Sequence, residues 1–514
     1  MSGPVQLVWF KRDLRVDDHR PLAEAAARGP VLPLYIVEPG LWRQPDAAAR
    51  HQAFIAESLI DLDAALRARG QGLLVRVGDA VEVLQLLADR FEIAALHAHE
   101  ETGNGWTFDR DRAVRGWARE RGIAVREVAQ FGVTRALRDR NGWAKRWEAI
   151  MAEASTCPPE PLPPVLDTPV VDDALLRQCF AEAQPFDATP CPERQTGGFE
   201  AGRAVLDDFL QRRGAAYRGG ISSPNTSETA CSRLSAHIAY GTLSLRTIVQ
   251  ATRLRRAEAR AAGEKRWAAS LNQFDQRLHW HCHFIQKLEQ RPAIEFENVH
   301  RGFDGMREDV FDEMLFEAWK AGRTGYPLID ACMRWVTATG WLNFRMRALL
   351  MSFAGYHLWL HWREPALHLA RMFTDYEPGI HFNQCQMQNG TTGINTLRIY
   401  NPVKQAQDQD PKGDFVRRWV PELAKLPAPA IFEPWRLSDR DRQALGAGDY
   451  PEPIVDHEVA AREARARIGA FRKRAGFKQE ADRVQNELGS RRAGLRPQRR
   501  PKKRAADRRQ QSLF

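Results

Sequence analysis

The chain has 514 residues, a formal net charge of +10 and a hydrophobic fraction of 43%, which predicts a globular protein of about two or three domains. Its longest apolar stretch, residues 348–362, contains His357 and His361 and is shorter than the roughly 20 residues that cross a bilayer, so no membrane span is expected. Seven scattered cysteines form no CxxC pair, and no secretory signal is recognisable, which favours a cytoplasmic protein without a zinc or disulfide framework.

The first 130 residues alternate β-rich runs with helical stretches. The expected strands are Val5–Phe10, Val31–Val37, Leu73–Val77, Ile93–Ala98 and Ala124–Val128, and the clearest expected helices are Asp46–Arg69 and Phe108–Arg121. Strands that alternate with helices are typical of βαβ units. The sequence therefore predicts a Rossmann-like α/β domain over residues 1–130, with a parallel five-stranded sheet.

The rest of the chain changes character twice. Residues 131–195 contain a cluster of prolines, which indicates a connector on the surface. From residue 196 to 480 strand signals nearly vanish and Arg, Ala, Leu and Trp recur at helical spacing, which predicts an all-α domain. Residues 489–514 hold ten Lys or Arg and one Asp, so residues 485–514 are predicted to form a basic disordered tail on a nearly neutral body.

The segment after the first strand lacks an expected nucleotide-binding feature. Val5–Phe10 is followed by Lys11, Arg12, Asp13 and Arg15, where a nucleotide-binding α/β domain has a Gly-rich turn that lets backbone N–H groups approach a pyrophosphate. The sequence thus argues against a dinucleotide at this strand.

The helical half carries the more specific motifs. These are CSRLSAHIAYGTLS at 231–244, FDQRLHWHCHFIQKL at 274–288, GRTGYPLIDACMRWVTATGWLNFRMRALLMSF at 322–353 and HWREPALHLARMFTDYEPG at 361–379. Together with WFKRDLR at 9–15, they resemble the photolyase and cryptochrome family of FAD flavoproteins, and its bacterial DNA photolyases in particular, over nearly the whole chain to about residue 475.

This resemblance implies a division of labour between the domains. FAD would lie in a U shape inside the helical domain, and the α/β domain would seat a second antenna chromophore of folate or deazaflavin type. The WFKRDLR segment would pack the interface between the domains; the alternative is that its charges form only a solvated turn.

The resemblance also assigns residues to the FAD phosphates. Ser232, Arg233, Leu234 and Ser235 match a phosphate-contacting turn at a helix start, and Tyr217 matches a tyrosine upstream of it. A plain helix N-cap is the alternative, because serine is favoured at that position in any case; a capped helix start is also an anion site.

Four more residues match positions around the flavin ring. Arg347 and Asp375 correspond to a pair beside the isoalloxazine, where a fixed guanidinium would stabilise an anionic reduced flavin; an ordinary structural ion pair is the alternative. His381 falls where relatives have the residue that faces flavin N5, often an asparagine, and could donate a proton there or hold a one-electron-reduced flavin. Glu377 is assigned to the same pocket.

The expected lesion contacts are altered. Relatives that repair cyclobutane dimers have an asparagine and a methionine where this chain has Phe344 and Ala348, and the histidine pair of relatives that repair the other major ultraviolet lesion is absent, so the lesion class stays open. Trp280 matches an aromatic against which a flipped dimer packs, with a core tryptophan as the alternative. The other candidate substrate contacts are Arg277, Arg345 and Met387.

The usual electron path is predicted to be broken. Relatives reduce the flavin through three tryptophans, of which only the middle one is matched, by Trp362; Cys385 or Asn383 stands at the proximal position and Phe303 near the distal one. Another route could use other tryptophans, among them Trp335, Trp341 and Trp359.

The last five residues, Gln510–Phe514, resemble the short motif by which bacterial proteins dock on the replicative sliding clamp, although Gln511 replaces an apolar residue. Leu513 and Phe514 suit a hydrophobic groove, and the basic tether would track DNA. A terminus without a partner is the alternative.

Taken together, these features predict a monomeric, blue-light-driven enzyme that repairs pyrimidine dimers in damaged DNA, a carbon–carbon lyase of the deoxyribodipyrimidine photolyase type. Trp280, Arg347, Asp375 and His381 would carry the catalytic roles. A cryptochrome-like photoreceptor without repair activity is the first alternative, which the altered lesion contacts favour. An NAD(P)H-dependent flavin oxidoreductase is the second, and the missing Gly-rich turn counts against it.

Overall fold

The structure is a computed structural model that describes residues 3–490. The segment Gln510–Phe514 lies outside the described residues. Among the helices within residues 3–490, none is both long enough and apolar enough to cross a membrane.

The N-terminal part is built on one parallel sheet of five strands in the order β3-β2-β1-β4-β5. The strands are β1 (Val5–Phe10), β2 (Val31–Val37), β3 (Leu74–Val77), β4 (Ile93–His99) and β5 (Ala124–Val128). Side chains alternate along β1, so that Val8 and Phe10 enter one hydrophobic cluster while Leu7 and Trp9 enter another on the opposite face. Both faces are therefore covered, as the continuous apolar strands predict.

Helices pack on this sheet and are the main regular elements of the remaining described chain. Around the sheet they are α1 (Arg20–Ala26), α2 (Pro39–Trp42), α3 (Ala49–Arg67), α4 (Ala80–Arg90) and α5 (Gly105–Glu120). Beyond it they are α6 (Trp143–Ala152), α7 (Asp173–Ala181), α8 (Phe199–Asp208), α9 (Tyr217–Gly220), α10 (Pro224–Ala230), α11 (Ser235–Ala239), α12 (Leu245–Ala261), α13 (Lys265–Gln290), α14 (Glu313–Lys320), α15 (Pro327–Thr339), α16 (Phe344–Ser352), α17 (Arg363–Met372), α18 (Pro378–Asn389), α19 (Pro402–Gln409), α20 (Asp414–Trp419), α21 (Asp439–Ala444), α22 (His457–Arg472) and α23 (Phe477–Leu488). The predicted fold class, a parallel α/β part followed by an all-α part, is confirmed.

The loop after β1 joins the two parts of the molecule. Arg12 donates hydrogen bonds to the carbonyl oxygens of Ala239 and Tyr376, at 2.9 and 2.6 Å, and Arg15 donates to the carbonyl of Gly241 at 2.9 Å. Both guanidinium groups are therefore hydrogen-bonded to backbone carbonyls of the helical part. The prediction that WFKRDLR packs the domain interface is confirmed, and the solvated turn is wrong.

Candidate functional site

A cleft of about 310 Å³ opens in the helical part, a volume within the usual range for small-molecule sites. Its walls come from α9, α11, α13, α16 and α18 and the loops between them. It brings together ten of the residues that the sequence assigns to the site: Tyr217, Ser232, Arg233, Ser235, Arg277, Phe344, Arg347, Asp375, Glu377 and His381.

The turn before α11 presents polar groups to this cleft. Leu234 takes the N-cap position of α11, which has no side-chain cap hydrogen bond. Ser232 and Ser235 line the cleft, whereas Leu234 is fully buried and does not line it. Arg233 has a φ of +62°, a left-handed conformation that costs a non-glycine residue energy and is common at functional sites.

An ion pair lies at the back of the cleft. Arg347 donates from Nη2 to both oxygens of Asp375, at 2.9 and 2.7 Å, and from Nε to the carbonyl of Leu342 at 2.8 Å. Its guanidinium also stacks 3.9 Å from the ring centre of Phe373. These contacts fix the plane of the guanidinium, so the charge is held in one orientation before a ligand arrives.

His381 has only one way to contact a ligand. Its Nε2 lies 2.8 Å from the carbonyl oxygen of Ala366 and must carry the proton that this contact requires, while burial lowers the pKa of His381 to about 4. The ring is therefore neutral at physiological pH and offers a ligand the lone pair of Nδ1. The structure favours a hydrogen-bond acceptor here rather than a proton donor.

Several buried acceptor oxygens in the cleft have no partner within the protein. They are Glu377 Oε1, Asn343 Oδ1 and Gln384 Oε1. Because an unpaired buried acceptor is costly, they indicate a ligand with several N–H or O–H donors. Burial also raises the pKa of Glu377 to about 7, against the opposing charge of Arg12.

The mouth of the cleft carries an aromatic and cationic surface. Arg277 and Trp280 are separated by three positions on α13, and the Arg277 guanidinium lies 4.4 Å from the Trp280 ring and 5.7 Å from the ring of Phe344. Phe344 is 42% exposed. Arg345 is half-buried beside it, whereas Met387 lines a separate small cavity with Lys287.

Trp362 does not reach the cleft. It is fully buried and donates from Nε1 to Asn298 at 2.9 Å. Cys385 occupies the cleft wall instead, and burial raises the pKa of its thiol well above the usual range. The structure adds cleft residues to which the sequence analysis gave no role in the FAD site, namely Trp341, His281 and Gln384; helical spacing alone does not show which face of a helix meets a cleft.

A second, smaller cavity of about 90 Å³ lies where the carboxyl ends of β1 and β2 meet the helical part. Trp9 and Trp42 line it, and Arg110 pairs there with Glu38 and Glu101 at 2.7 and 2.6 Å. Burial raises the pKa of Glu38 to about 7, and its second oxygen, Oε1, has no partner. The cavity thus offers aromatic walls and one unpaired acceptor.

A buried triad of Asp13, His19 and His99 lies at the same end of the sheet. Asp13 Oδ2 is 2.9 Å from His19 Nε2 and 2.7 Å from His99 Nδ1. His19 Nδ1 already accepts the backbone N–H of Leu22, so its proton lies on Nε2 and points at the carboxylate. With its proton on Nε2, His19 has no free lone pair to offer a metal ion, so the three residues form a hydrogen-bonded cluster rather than a metal site.

The fold and the cleft define a protein with a parallel α/β domain joined to a helical domain that holds a cation-lined site for a polar cofactor. Residues 6–135 match the family model described as DNA photolyase, and residues 274–470 match the model described as the FAD binding domain of DNA photolyase. The chain belongs to the photolyase and cryptochrome family.

Individual relatives extend this match over the chain. A deoxyribodipyrimidine photo-lyase of Streptomyces griseus is 33% identical over 480 residues, which cover 90% of this chain and 99% of that protein. A cryptochrome DASH of Gloeobacter violaceus is 30% identical over 501 residues, 90% of this chain and 96% of that protein. The crystal structure of a bacterial class III photolyase from Agrobacterium tumefaciens superposes with a TM-score of 0.77 at 27% identity, over 92% of this chain and 98% of that one.

Proposed function

We propose that this protein is a blue-light-driven, FAD-dependent DNA photolyase that splits pyrimidine dimers. The observation that carries the proposal is a group of cations and aromatic rings at the cleft. The fixed Arg347–Asp375 pair lines the cleft together with Arg277 and Phe344. Trp280 lies outside the lining and packs against Arg277.

The residues of the cleft fit FAD. Arg233 and the hydroxyls of Ser232 and Ser235 would bind the two phosphates; burial lowers the pKa of Arg233 to about 10, so it keeps its charge at neutral pH. The unpaired oxygens of Asn343 and Gln384 would accept hydrogen bonds from the sugar or ring donors of the cofactor.

When bound in this cleft in its reduced form, FAD would supply, under blue light, the electron that opens the cyclobutane ring of a dimer and would take it back afterwards. Arg347, held in place by Asp375, would set a positive charge where negative charge accumulates on the cofactor. His381, whose Nε2 is engaged by the carbonyl of Ala366, would accept a hydrogen bond from the cofactor at Nδ1 and would not act as a proton donor at neutral pH. An extruded dimer would stack on the rings of Trp280 and Phe344, and Arg277, which lies against both rings, would offer its charge to phosphate or carbonyl oxygens.

The smaller cavity fits a role as the seat of a second chromophore. Trp9 and Trp42 would flank a planar ring, and Glu38 Oε1 would accept a hydrogen bond from a ring N–H. Folates and deazaflavins both contain a flat heterocycle with an N–H group at its edge. Extracting the purified protein and recording the absorbance of the released small molecules tests this role, with Glu38→Ala expected to lose the second chromophore and to keep FAD.

The rival function is a photoreceptor without repair activity. Phe344 at the cleft mouth favours it, because a phenyl ring cannot form the hydrogen bonds of the asparagine expected at this position in dimer-repairing relatives. Two oligonucleotides, one with a defined cyclobutane dimer and one with the other ultraviolet lesion, separate the two functions. Restoration of bases in blue light but not in the dark supports the repair enzyme; a protein that binds and photoreduces FAD but restores neither lesion is the photoreceptor.

Two alternatives for the tail stay open, docking on the sliding clamp or no partner. A pull-down with purified clamp compares the natural sequence with Leu513→Ala/Phe514→Ala. Loss of retention in the double variant supports docking, and equal retention excludes it.

A further inference from the structure

Three indole rings form a row from the wall of the cleft to the protein surface. Trp341 lines the cleft, and its ring centre lies 5.6 Å from that of Trp335, which belongs to α15. Trp335 in turn lies 6.4 Å from Trp419 at the end of α20. Trp341 and Trp335 are buried and Trp419 is half-buried, so the row begins at the cofactor cleft and ends at solvent.

Among residues 3–490, Trp362 does not begin a comparable row of indole rings. Trp362 has His361 and Phe382 as ring neighbours, at 5.5 and 6.3 Å. The cleft wall on that side is formed by Cys385, whose neutral thiol and raised pKa make it a poor electron donor. An electron that leaves Trp362 for the cleft must therefore cross groups that are harder to oxidise than an indole.

Charges along the row favour movement of a positive hole away from the cleft. The Arg233 guanidinium lies 4.0 Å above the ring of Trp341, and this nearby cation makes a positive charge on Trp341 less stable than one on Trp335. The ring neighbours of Trp335 are Trp341, Trp419 and the uncharged Phe415. Arg418, 5.2 Å from the ring of Trp419, is 55% exposed, so water screens its charge.

We infer that Trp341, Trp335 and Trp419 form the chain through which the bound flavin is photoreduced, an inference that rests on the proposed FAD site. Trp341 gives one electron to the photoexcited oxidised flavin, Trp335 gives one to Trp341, and Trp419 gives one to Trp335. A thiol in solution then gives an electron to oxidised Trp419, releases a proton and becomes a thiyl radical, and two such thiyl radicals couple to a disulfide. Solvent supplies any proton that the reduced flavin takes up.

The test compares four variants of the full chain loaded with FAD, without DNA. Trp335→Phe and Trp419→Phe interrupt the row, Trp362→Phe interrupts the alternative route, and Trp319→Phe is the matched control. Trp319 is fully buried but packs against Phe316 and His368, outside both routes. FAD content and thermal unfolding are measured first, because a natural protein that binds no FAD in this cleft would overturn the proposed function itself.

Blue light in the presence of dithiothreitol is expected to reduce the flavin in the natural protein, in Trp362→Phe and in Trp319→Phe. In Trp335→Phe, photoreduction is expected to be lost although FAD remains bound. Photoreduction at the natural rate in Trp335→Phe would overturn the inference, as would its loss in Trp362→Phe alone.

Flash photolysis gives an independent readout. The absorbance of an oxidised tryptophan is expected after the flash, and it should decay faster in Trp419→Phe because the charge stops one ring short of the solvent. Since Trp419 is half-buried, this variant places little demand on folding. An unchanged decay in Trp419→Phe would exclude the row as the electron path.

Discussion

Nη2 of Arg347 lies within hydrogen-bonding distance of both carboxylate oxygens of Asp375, at 2.9 and 2.7 Å. The Asp375 side chain is 5% exposed and that of Arg347 is 27% exposed, so water reaches one partner and hardly the other. The pair contributes to folding and places a fixed charge in the cleft, and these two contributions can be measured separately.

Asp375→Asn keeps the shape of the side chain and removes its charge. Arg347 then lacks its anionic partner, and because that guanidinium is partly hydrated the expected loss is about 1–3 kcal/mol in the free energy of unfolding. Urea unfolding with and without FAD measures the loss. Asp408→Asn, which breaks an exposed pair with Lys404, serves as control and should change stability by about 0.5 kcal/mol or less. Equal losses in the two variants would show that the Arg347 pair is only a surface contact.

Local sequence patterns were sufficient to predict the sheet. The strands were recognisable because each is a short apolar run bounded by helical segments, and only their ends differ: β3 begins at Leu74 and β4 continues to His99. Contiguous motifs assign nine residues to the FAD site, and eight of them line one cleft.

Contacts between distant segments could not be predicted in the same way. His99 meets Asp13 only because β4 pairs with β1 in the sheet, and Trp335 meets Trp419 only because α15 packs on α20. Met387 shows that two residues of the same helix need not line the same cavity. It lies on α18 with His381 but lines a different cavity, since residues six positions apart on a helix point in clearly different directions.

Glu377 is expected to make the free energy of unfolding depend on pH. Its pKa is raised from 4.5 to about 7 by burial, so the folded chain keeps this proton at pH values where the unfolded chain has lost it. This raised pKa adds about 3 kcal/mol to the free energy of unfolding below pH about 4.5, and the contribution is lost as the pH rises to about 7. Glu38 and Glu295 have pKa values raised to about 7 as well, so three carboxyl groups contribute to the pH dependence of stability over the same pH range.

Glu377→Gln is expected to flatten, but not abolish, the fall in unfolding free energy between pH about 4.5 and about 7. Urea unfolding at a series of pH values measures the slope. Glu463→Gln, in an exposed pair with Arg467 on α22, should leave the slope unchanged. A slope in Glu377→Gln equal to that of the natural protein would mean that Glu377 is already ionised in the folded state at low pH.

Trp280 is expected to contribute stacking energy to damaged DNA. Trp280→Ala should weaken binding to an oligonucleotide with one cyclobutane dimer by about 1–3 kcal/mol and should affect undamaged DNA less. Fluorescence anisotropy at fixed salt measures both affinities. Trp267 is a matched control because it lies on the same helix, α13, and also packs beneath an arginine, with Arg255 4.7 Å from its ring. A similar loss in Trp267→Ala would show that the effect comes from the helix rather than from stacking on the lesion.

The Asp13 cluster is expected to hold the end of the sheet together without a metal. The carboxylate accepts hydrogen bonds from the Lys11 backbone N–H and from both histidines, at 2.7, 2.9 and 2.7 Å, and these contacts keep the pKa of Asp13 well below its usual range despite burial. Asparagine would turn an N–H₂ group toward one of these donors, so Asp13→Asn should cost about 3 kcal/mol of unfolding free energy.

The control for this variant is Asp79→Asn. Asp79 is the N-cap of α4, where asparagine is an equally good cap, so stability should hardly change. Zn²⁺ added to the natural protein is expected to leave its melting temperature unchanged, because the proton on His19 Nε2 occupies the direction that a metal would need. A rise in melting temperature with Zn²⁺ that disappears in Asp13→Asn would establish a metal site and contradict the hydrogen-bonded cluster.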